Sequence, residues 1–427
     1  MLALVRRAGT LAFAIQFAGA GFTYVQQVLL ARLLGAAAFG LYSYVWLGAT
    51  LVALLSGLGL PAASLRFIPA YLAAGEQGRV RAFRRAAWRL SCGTALLAML
   101  VADVLALVLH AASVLGDPTP LVLGGLLVPA LAGSILWSEL ARARDRVGVA
   151  YALPQALRPA LIALVAAIAA VAGARSADVA MAATLVAAYL VLVGQRLLTR
   201  PLYREAEPIS RTPGELSEWL GVGGSLLAVS AFVVVLMQLD VLVVGAIRGS
   251  REAGIYAAAA KTATLVSFVL FAVNAIAAPQ FASLWAQGRK LELQRLTARL
   301  AGMIFWPSLA IALGLAALAG PLLSIFGAGF QSGRSALMVL LVGQLVNAGA
   351  GSVGYLLTMS GHHRDAARVL GISAILFVAL TALGAATFAL TGAAVGSALG
   401  FAVWNIWMWA LVRRRLGIDA SVVGAIK

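Results

Sequence analysis

The chain consists of long apolar stretches separated by short polar segments. A helix that crosses a bilayer needs about 20 apolar residues, and about twelve stretches of that kind can be drawn. Turn signals such as Gly116-Asp117-Pro118 separate them. The stretches run over residues 8–31, 39–72, 90–113, 119–141, 149–172, 178–195, 219–246, 253–284, 300–324, 335–360, 369–389 and 391–412. The pattern predicts an all-α integral membrane protein with about 12 transmembrane helices.

The basic residues fall mostly in every second segment between these stretches. If the N-terminus is cytoplasmic, the inner segments hold most of the arginines and lysines, and the outer segments hold only a few. Short cytoplasmic loops are enriched in Lys and Arg, so the alternation predicts that both termini lie in the cytoplasm. The inner bases lie in 6–7, 79–89, 142–146, 196–211, 289–299, 364–368 and 413–427, and the outer ones are Arg32, Arg175, Arg248, Arg251 and Arg334.

Composition supports a lipid environment and explains the net charge. The chain of 427 residues is 62% hydrophobic and 11% charged, with a net charge of +17. A soluble domain has about a quarter charged residues. The basic excess follows membrane topology and forms no basic face of a soluble fold, so no nucleic-acid partner is expected.

The sequence contains no motif typical of a disulfide, a metal site, a nucleotide-binding site or a catalytic centre. One cysteine, Cys92, excludes an intrachain disulfide, and the three histidines have no metal-ligand spacing. No nucleotide-binding loop or nucleophile elbow is present, and no loop is long enough to fold as a catalytic domain. We therefore expect a transporter rather than an enzyme, with no catalytic residue, cofactor or metal.

A polar segment in the middle of the chain divides it into two similar halves. Residues 200–218 are rich in proline and mixed charge, which is typical of a cytoplasmic linker. The six-helix halves are then 1–199 and 219–427. Gly40-Leu41-Tyr42 in the first half is matched by Gly254-Ile255-Tyr256 in the second. Halves with an even number of spans are parallel repeats, and such architectures commonly place the substrate path between them.

Two arginines lie inside predicted spans. Arg66 follows Pro61 toward the cytoplasmic end of the second span, and Arg158 precedes Pro159 in the fifth. Neither has an acidic residue one helical turn away. One interpretation is a basic vestibule that binds phosphate oxygens through guanidinium groups. The alternative is that each side chain extends to the inner headgroups.

Three further charges lie inside spans. Asp240 and Lys261 belong to consecutive spans at similar depth, and Asp103 lies near the middle of the third span. Asp240 and Lys261 form either a structural ion pair or a switchable pair in a central cavity. Asp103 and Asp240 are also candidates for ion coupling, although Asp103 could instead pair with an arginine.

Several short motifs resemble those of polysaccharide (O-antigen type) flippases, which belong to the multidrug/oligosaccharidyl-lipid/polysaccharide exporter superfamily. The resemblance covers nearly the whole chain. It rests on Leu30-Ala31-Arg32-Leu33-Leu34-Gly35 with Phe39-Gly40-Leu41-Tyr42, on Gly57-Leu58-Gly59-Leu60-Pro61 leading to Arg66, and on Asp240-Val241-Leu242-Val243-Val244-Gly245 with Gly254-Ile255-Tyr256 and Lys261.

The resemblance implies a bacterial inner-membrane flippase that moves a polyprenyl-diphosphate-linked oligosaccharide to the periplasmic leaflet by alternating access. It implies cavity residues Arg66, Arg158, Lys261 and Asp240, and a role in polysaccharide or lipopolysaccharide biosynthesis. The expected partners are the lipid-linked oligosaccharide, membrane lipids, glycan polymerase and glycosyltransferases. Alternatives are a cation-coupled drug exporter of the same superfamily and a membrane-embedded glycan polymerase or ligase.

Overall fold

A computed structural model describes residues 2–114, 116–203, 214–422 and 424. These residues form helices joined by turns, without a strand among them. The first helices are α1 (Leu2–Ser56), α2 (Leu60–Ala73), α3 (Gln77–Ala111), α4 (Thr119–Arg142), α5 (Val147–Ala152), a π-helical turn (Leu153–Leu157), α6 (Arg158–Val171) and α7 (Ala177–Thr199). They are followed by a 3₁₀ turn (Arg200–Tyr203), α8 (Glu215–Arg248), α9 (Ser250–Ala263), a 3₁₀ turn (Thr264–Val266) and α10 (Ser267–Ala286). The last are α11 (Lys290–Ala317), α12 (Ala319–Phe326), a 3₁₀ turn (Ala328–Gly333), α13 (Arg334–Ala350), α14 (Val353–Met359) and α15 (His363–Leu416).

Ten helical segments of the described chain are long and apolar enough, by length and composition, to cross a membrane. Many large apolar side chains on them are exposed, such as Val101 at 60% and Ile375 at 70%. A water-soluble protein of this size rarely exposes so much continuous apolar surface. The prediction of an all-α, multi-pass membrane protein is confirmed at this level.

The helices α1 and α15 each contain a non-helical interruption. In α1 the break is at Gly35, with φ 74° and ψ 172°. In α15 it is at Phe388 and Ala389, and Ala389 has a φ of 51°. A left-handed backbone is unfavourable for a residue with a Cβ, so only surrounding contacts can hold Ala389 there. Both interruptions fall where the sequence predicted a boundary between spans.

Some predicted spans are not single helices. The predicted span 39–72 is broken between α1 and α2, where Leu58 and Gly59 have φ values of 51° and 72°. Pro61 at the start of α2 explains the break, since proline lacks a backbone N–H and suits the first turn of a helix. Gly59 also lies against the backbone of Gly223, where a Cβ would overlap it. The predicted span 335–360 is similarly broken at Gly351, with φ 73°.

The first compact unit comprises Met1–Leu34 and Leu41–Ala231. Its core at one end is aromatic: the Phe83 and Trp219 rings lie 5.1 Å apart, and the Trp219 indole donates to the Tyr71 hydroxyl at 2.9 Å. Arg79 forms ion pairs with Glu76 and Glu215, and its guanidinium lies 4.3 Å from the Tyr71 ring centroid. These contacts hold the beginning of α8 against α2 and α3.

The second compact unit comprises Gly35–Gly40 and Phe232–Lys427. The short segment of α1 packs on α9, where Gly40 faces the backbone of Ser250 and Gly254 so closely that a Cβ would overlap it. Small residues let helix backbones approach in membranes, where packing rather than water exclusion drives association. Phe39 adds an edge-to-face contact with Phe330 at 5.9 Å.

The boundary between the units in the second half of the chain falls at Ala231 and Phe232, inside α8. The predicted division placed a linker at 200–218 between halves 1–199 and 219–427. Residues 204–213 of that linker lie outside the described residues. The division at the linker therefore stays a prediction.

Candidate functional site

Arg158 lies at the start of α6, directly after the π-helical turn Leu153–Leu157. Such turns are rare and frequently occur at functional sites. The guanidinium carbon lies 5.0 Å from the Trp46 ring centroid, a cation–π contact within the first unit. Within the described chain, no carboxylate forms an ion pair with Arg158. The side chain is therefore a half-buried cation held by an aromatic face rather than by an acid.

A buried polar cluster lies close to Arg158. Thr184 donates its hydroxyl proton to the Ala180 carbonyl at 2.8 Å, so the Tyr42 hydroxyl donates to Thr184 Oγ1 at 3.2 Å. Gln26 Nε2 donates in turn to the Tyr42 hydroxyl at 3.2 Å. The chain of hydrogen bonds joins both segments of α1 to α7 and fixes the helix that carries Trp46 beside Arg158.

Arg66 has a different environment. Its side chain is exposed on α2, and its guanidinium carbon lies 5.5 Å from the ring centroid of the adjacent Phe67. It has no ion pair among the described residues. The structure therefore keeps Arg66 available for an anion but places it in no described cavity with Arg158.

Asp240, in the second unit, is 5% exposed and is held by three donors. Its Oδ1 accepts from the Val241 amide at 2.9 Å, and its Oδ2 accepts from Tyr256 at 3.1 Å and from Ser397 at 3.3 Å. Donors from α8, α9 and α15 thus converge on one carboxylate. Hydrogen bonds to the charged form stabilise a buried carboxylate.

Lys261 lies in the same cavity as Asp240. The cavity has a volume of about 190 Å³ and is also lined by Gln238, Gln344 and Phe401. No direct ion pair within 4 Å joins Asp240 and Lys261, both of which the structure describes. Gln344 Oε1 accepts from Ser267 at 2.5 Å. The cavity therefore combines a hydrogen-bonded carboxyl group, a lysine amino group that is not directly paired with it, and amide groups.

The environment of Asp103 differs from that of Arg158 and from the cavity lined by Asp240 and Lys261. It is half-buried on α3, and its Oδ1 is buried without a hydrogen-bond partner. The carboxyl group lies against Gly125 of α4, where a Cβ would overlap it. Of the five charges predicted inside spans, only Asp240 and Lys261 share a described cavity.

The sequence motifs included Tyr42 but gave it no role at a site, and neither Thr184 nor Trp46 was predicted as a site residue. A buried tyrosine in a predicted span needs a hydrogen-bond partner, which was the available signal. Within the described residues, no three His, Cys, Asp or Glu side chains form a group that could hold a metal ion.

The family assignment comes from sequence comparison. The sequence profile of the family described as "polysaccharide biosynthesis protein" matches residues 5–285, more than half of the chain. No protein among curated sequences matches the chain.

Solved structures with the same fold are transporters. A multidrug resistance MATE family transporter of the MOP superfamily, in an inward-facing conformation, has a TM-score of 0.76 at 15% identity and covers 93% of this chain and 94% of its own. A MATE structure in a straight conformation has a TM-score of 0.67 at 15% identity, with 97% and 96% covered.

A MOP superfamily transporter from Pyrococcus furiosus, described as having a binding pocket of reverse polarity, has a TM-score of 0.65 at 14% identity, with 96% and 95% covered. These neighbours are transporters rather than enzymes, in agreement with the expectation from the sequence. The chain belongs to the polysaccharide biosynthesis protein family and has the fold of the MOP superfamily transporters.

Proposed function

We propose that the chain is a flippase that moves a polyprenyl-diphosphate-linked oligosaccharide from the cytoplasmic to the periplasmic leaflet by alternating access. The observation that carries the proposal is Arg158, a guanidinium inside a candidate membrane span that faces Trp46 and forms no ion pair with a described acid. An unpaired cation in a low-dielectric region is costly unless a ligand compensates it. A lipid diphosphate is an anion that can enter from the bilayer and supply the negative charge that compensates Arg158.

Guanidinium groups suit this cargo. Arginine donates to phosphate oxygens in a planar fork, and such charge-assisted bonds are roughly twice as strong as neutral ones. In the second unit, Lys261 with Gln238 and Gln344 offers a cation and amides that can donate to phosphate or sugar oxygens. Asp240 would keep the surroundings of Lys261 polar and would accept hydrogen bonds from sugar hydroxyl groups.

The finer topology belongs to the same proposal. If the interruptions at Gly35 and at Phe388 and Ala389 separate membrane spans, the ten candidate segments become twelve, six in each half. The distribution of basic residues favours cytoplasmic N- and C-termini. The resemblance to polysaccharide flippases implies a bacterial inner membrane. The family's description supports a role in polysaccharide biosynthesis. O-antigen or lipopolysaccharide assembly would make glycosyltransferases and a glycan polymerase the expected partners.

A second candidate is export of an organic cation, since a neighbour of the same fold is a multidrug resistance transporter. The fold does not decide the charge of the cargo, because a neighbour has a binding pocket of reverse polarity. Arg66, Arg158 and Lys261 outnumber Asp103 and Asp240 within the spans predicted from the sequence, and a cation needs acidic rather than basic contacts. We therefore favour an anionic cargo.

The test is leaflet transfer of a fluorescent polyprenyl-diphosphate sugar in proteoliposomes. We expect Arg158→Gln, Arg66→Ala and Lys261→Ala each to slow transfer by roughly 10-fold or more, since a charge-assisted hydrogen bond contributes about 1.5–3 kcal/mol. Arg175→Gln, at an exposed arginine between α6 and α7, is the matched control and should transfer at the wild-type rate. Wild-type transfer in all three variants of these basic residues would contradict the proposal, and transfer of a cationic dye instead would favour the second candidate.

A further inference from the structure

Asp103 lies among exposed apolar side chains on α3. Val101, Val104 and Leu100 around it are 60%, 57% and 55% exposed. With a rise of 1.5 Å per residue, Asp103 is about 12 Å from Ala111 at the end of α3 and about 21 Å from Arg89. The carboxyl group is therefore well inside the apolar part of the span, out of reach of the basic end of the helix.

The carboxyl group is seated against α4. Its Oδ1 has no contact with solvent and no hydrogen-bond partner. A Cβ at Gly125 would overlap this oxygen, so the glycine leaves a notch that the carboxyl occupies. We call Asp103 and Gly125 the carboxyl notch. The notch gives Asp103 a defined position without giving it a donor.

An ionised carboxylate is costly in this position. Burying a charge in hydrocarbon without a partner costs several kcal/mol, and the group instead takes up a proton. Asp240 provides the contrast, because three donors hold its carboxylate and Lys261 lines its cavity. The sequence left both acids open as ion-coupling candidates, and their surroundings distinguish them.

We propose that Asp103 is a proton-binding site whose proton is bound and released as the transporter changes conformation. In the conformation described, the carboxyl is the neutral acid in the notch. When the α3–α4 contact opens to water, the O–H bond breaks, the proton passes to water and the carboxylate remains hydrated. Proton binding and the conformation of the notch are thermodynamically coupled, and this coupling is reciprocal. A conformation that admits water to the notch therefore releases the proton, and a lower pH favours the closed notch.

The ligand is a proton rather than a metal cation. Hard metal cations need several oxygen ligands, and the notch supplies a carboxyl against a glycine.

No charged group of the packed helices is bonded to Asp103. The other titratable groups of α3 closest along the chain are Cys92 and His110, and the nearest arginine of this helix is Arg89. Of the helices that pack on α3, α4 carries Glu139 and Arg142 in its last turn, and α2 carries Arg66 and Tyr71. Glu139 and Arg142 pair with each other at 2.7 Å. Access of water to the notch, rather than a neighbouring charged side chain, therefore controls whether Asp103 binds or releases its proton.

The first test needs no cargo, so it stays separate from the identity of the substrate. Infrared difference spectra of the purified protein across pH should contain the C=O stretch of a protonated carboxylic acid. Asp103→Asn should lose this band, and Asp240→Asn should retain it. Gly125→Ala should shift the band, because the added Cβ displaces the carboxyl. A band that persists unchanged in Asp103→Asn would overturn the proposal, as would its absence from the wild-type protein.

The second test uses transport in proteoliposomes. An imposed proton gradient should change the wild-type rate, and Asp103→Asn, which mimics the neutral acid in size, should lose this response. A wild-type rate that ignores the proton gradient or follows a sodium gradient alone would overturn the proposal. If Asp103→Asn fails to fold, Gly125→Ala carries the same test, and an unaltered gradient response in that variant would also contradict it.

Discussion

Removal of the Tyr256 hydroxyl tests how the second unit holds its buried carboxylate. Tyr256→Phe deletes the donor to Asp240 Oδ2 at 3.1 Å and leaves Ser397 on the same oxygen at 3.3 Å. Neutral interhelical hydrogen bonds in membranes contribute about 0.6 kcal/mol on average, whereas bonds to charged groups contribute about 1.5–3 kcal/mol. Because one donor remains on this oxygen, we expect a coupling energy of about 1–2 kcal/mol between Tyr256 and Asp240.

The assay is a double-mutant cycle on thermal unfolding of the purified protein in detergent. Each kcal/mol corresponds to about 2–4 °C for a unit of this size, so Tyr256→Phe should lower Tm by about 2–8 °C. In the Asp240→Asn background the same substitution should cost much less. Tyr355→Phe, at a tyrosine that is 41% exposed, is the matched control and should leave Tm unchanged. Strictly additive effects of Tyr256→Phe and Asp240→Asn would refute the reasoning.

Three further predictions follow from packing and charge. Arg79→Gln should destabilise the first unit by about 1–3 kcal/mol in thermal unfolding, since Glu215 is 3% exposed and loses its ion pair; an unchanged Tm would contradict this. Gly40→Ala should lower the yield of folded protein in size-exclusion chromatography, whereas Gly48→Ala, with open space at its Cβ, should not; equal yields would contradict the packing. Burial raises the pKa of Asp419, but hydrogen bonds, chiefly from the Trp409 indole and Ser421, outweigh it and hold the pKa below its ordinary value. This stabilisation is full above about pH 4 and is lost as the pH falls through the lowered pKa, so the hydrogen-exchange protection factors of amides 418–422, which correct for the intrinsic rate at each pH, should fall there. Asp419→Asn should remove that pH dependence, and an acid response that persists in the variant would contradict it.

Much of the helical architecture could be predicted because lipid imposes long apolar stretches and a rule for basic loops. The spans drawn from the sequence change over between 31 and 39 and near 390, and the interruptions at Gly35 and Ala389 lie at these changeovers. The break at Leu58 and Gly59 was missed because hydropathy does not change there. The break depends on proline at the start of α2 and on the close approach of Gly223, which only the folded chain reveals.

The site could be predicted only as a set of charges inside spans. Sequence spacing placed Asp240 and Lys261 at similar depth, and they do line one cavity. It could not reveal that Tyr256 and Ser397 hold Asp240, since Ser397 is distant in sequence. Nor could it reveal that the Trp46 ring faces Arg158 or that the carboxyl group of Asp103 packs against Gly125. These contacts depend on helix packing, which a helical period alone does not determine.

The most direct measurement of the central claim compares two cargoes in the same proteoliposomes. One is a fluorescent polyprenyl-diphosphate sugar, and the other is the same sugar on an uncharged polyprenyl lipid. If Arg158 and the other bases in the spans recognise the diphosphate, wild-type protein should transfer the first between leaflets and leave the second at the rate of protein-free vesicles. Equal transfer of both lipids, or transfer of neither while a cationic dye is exported, would contradict the account.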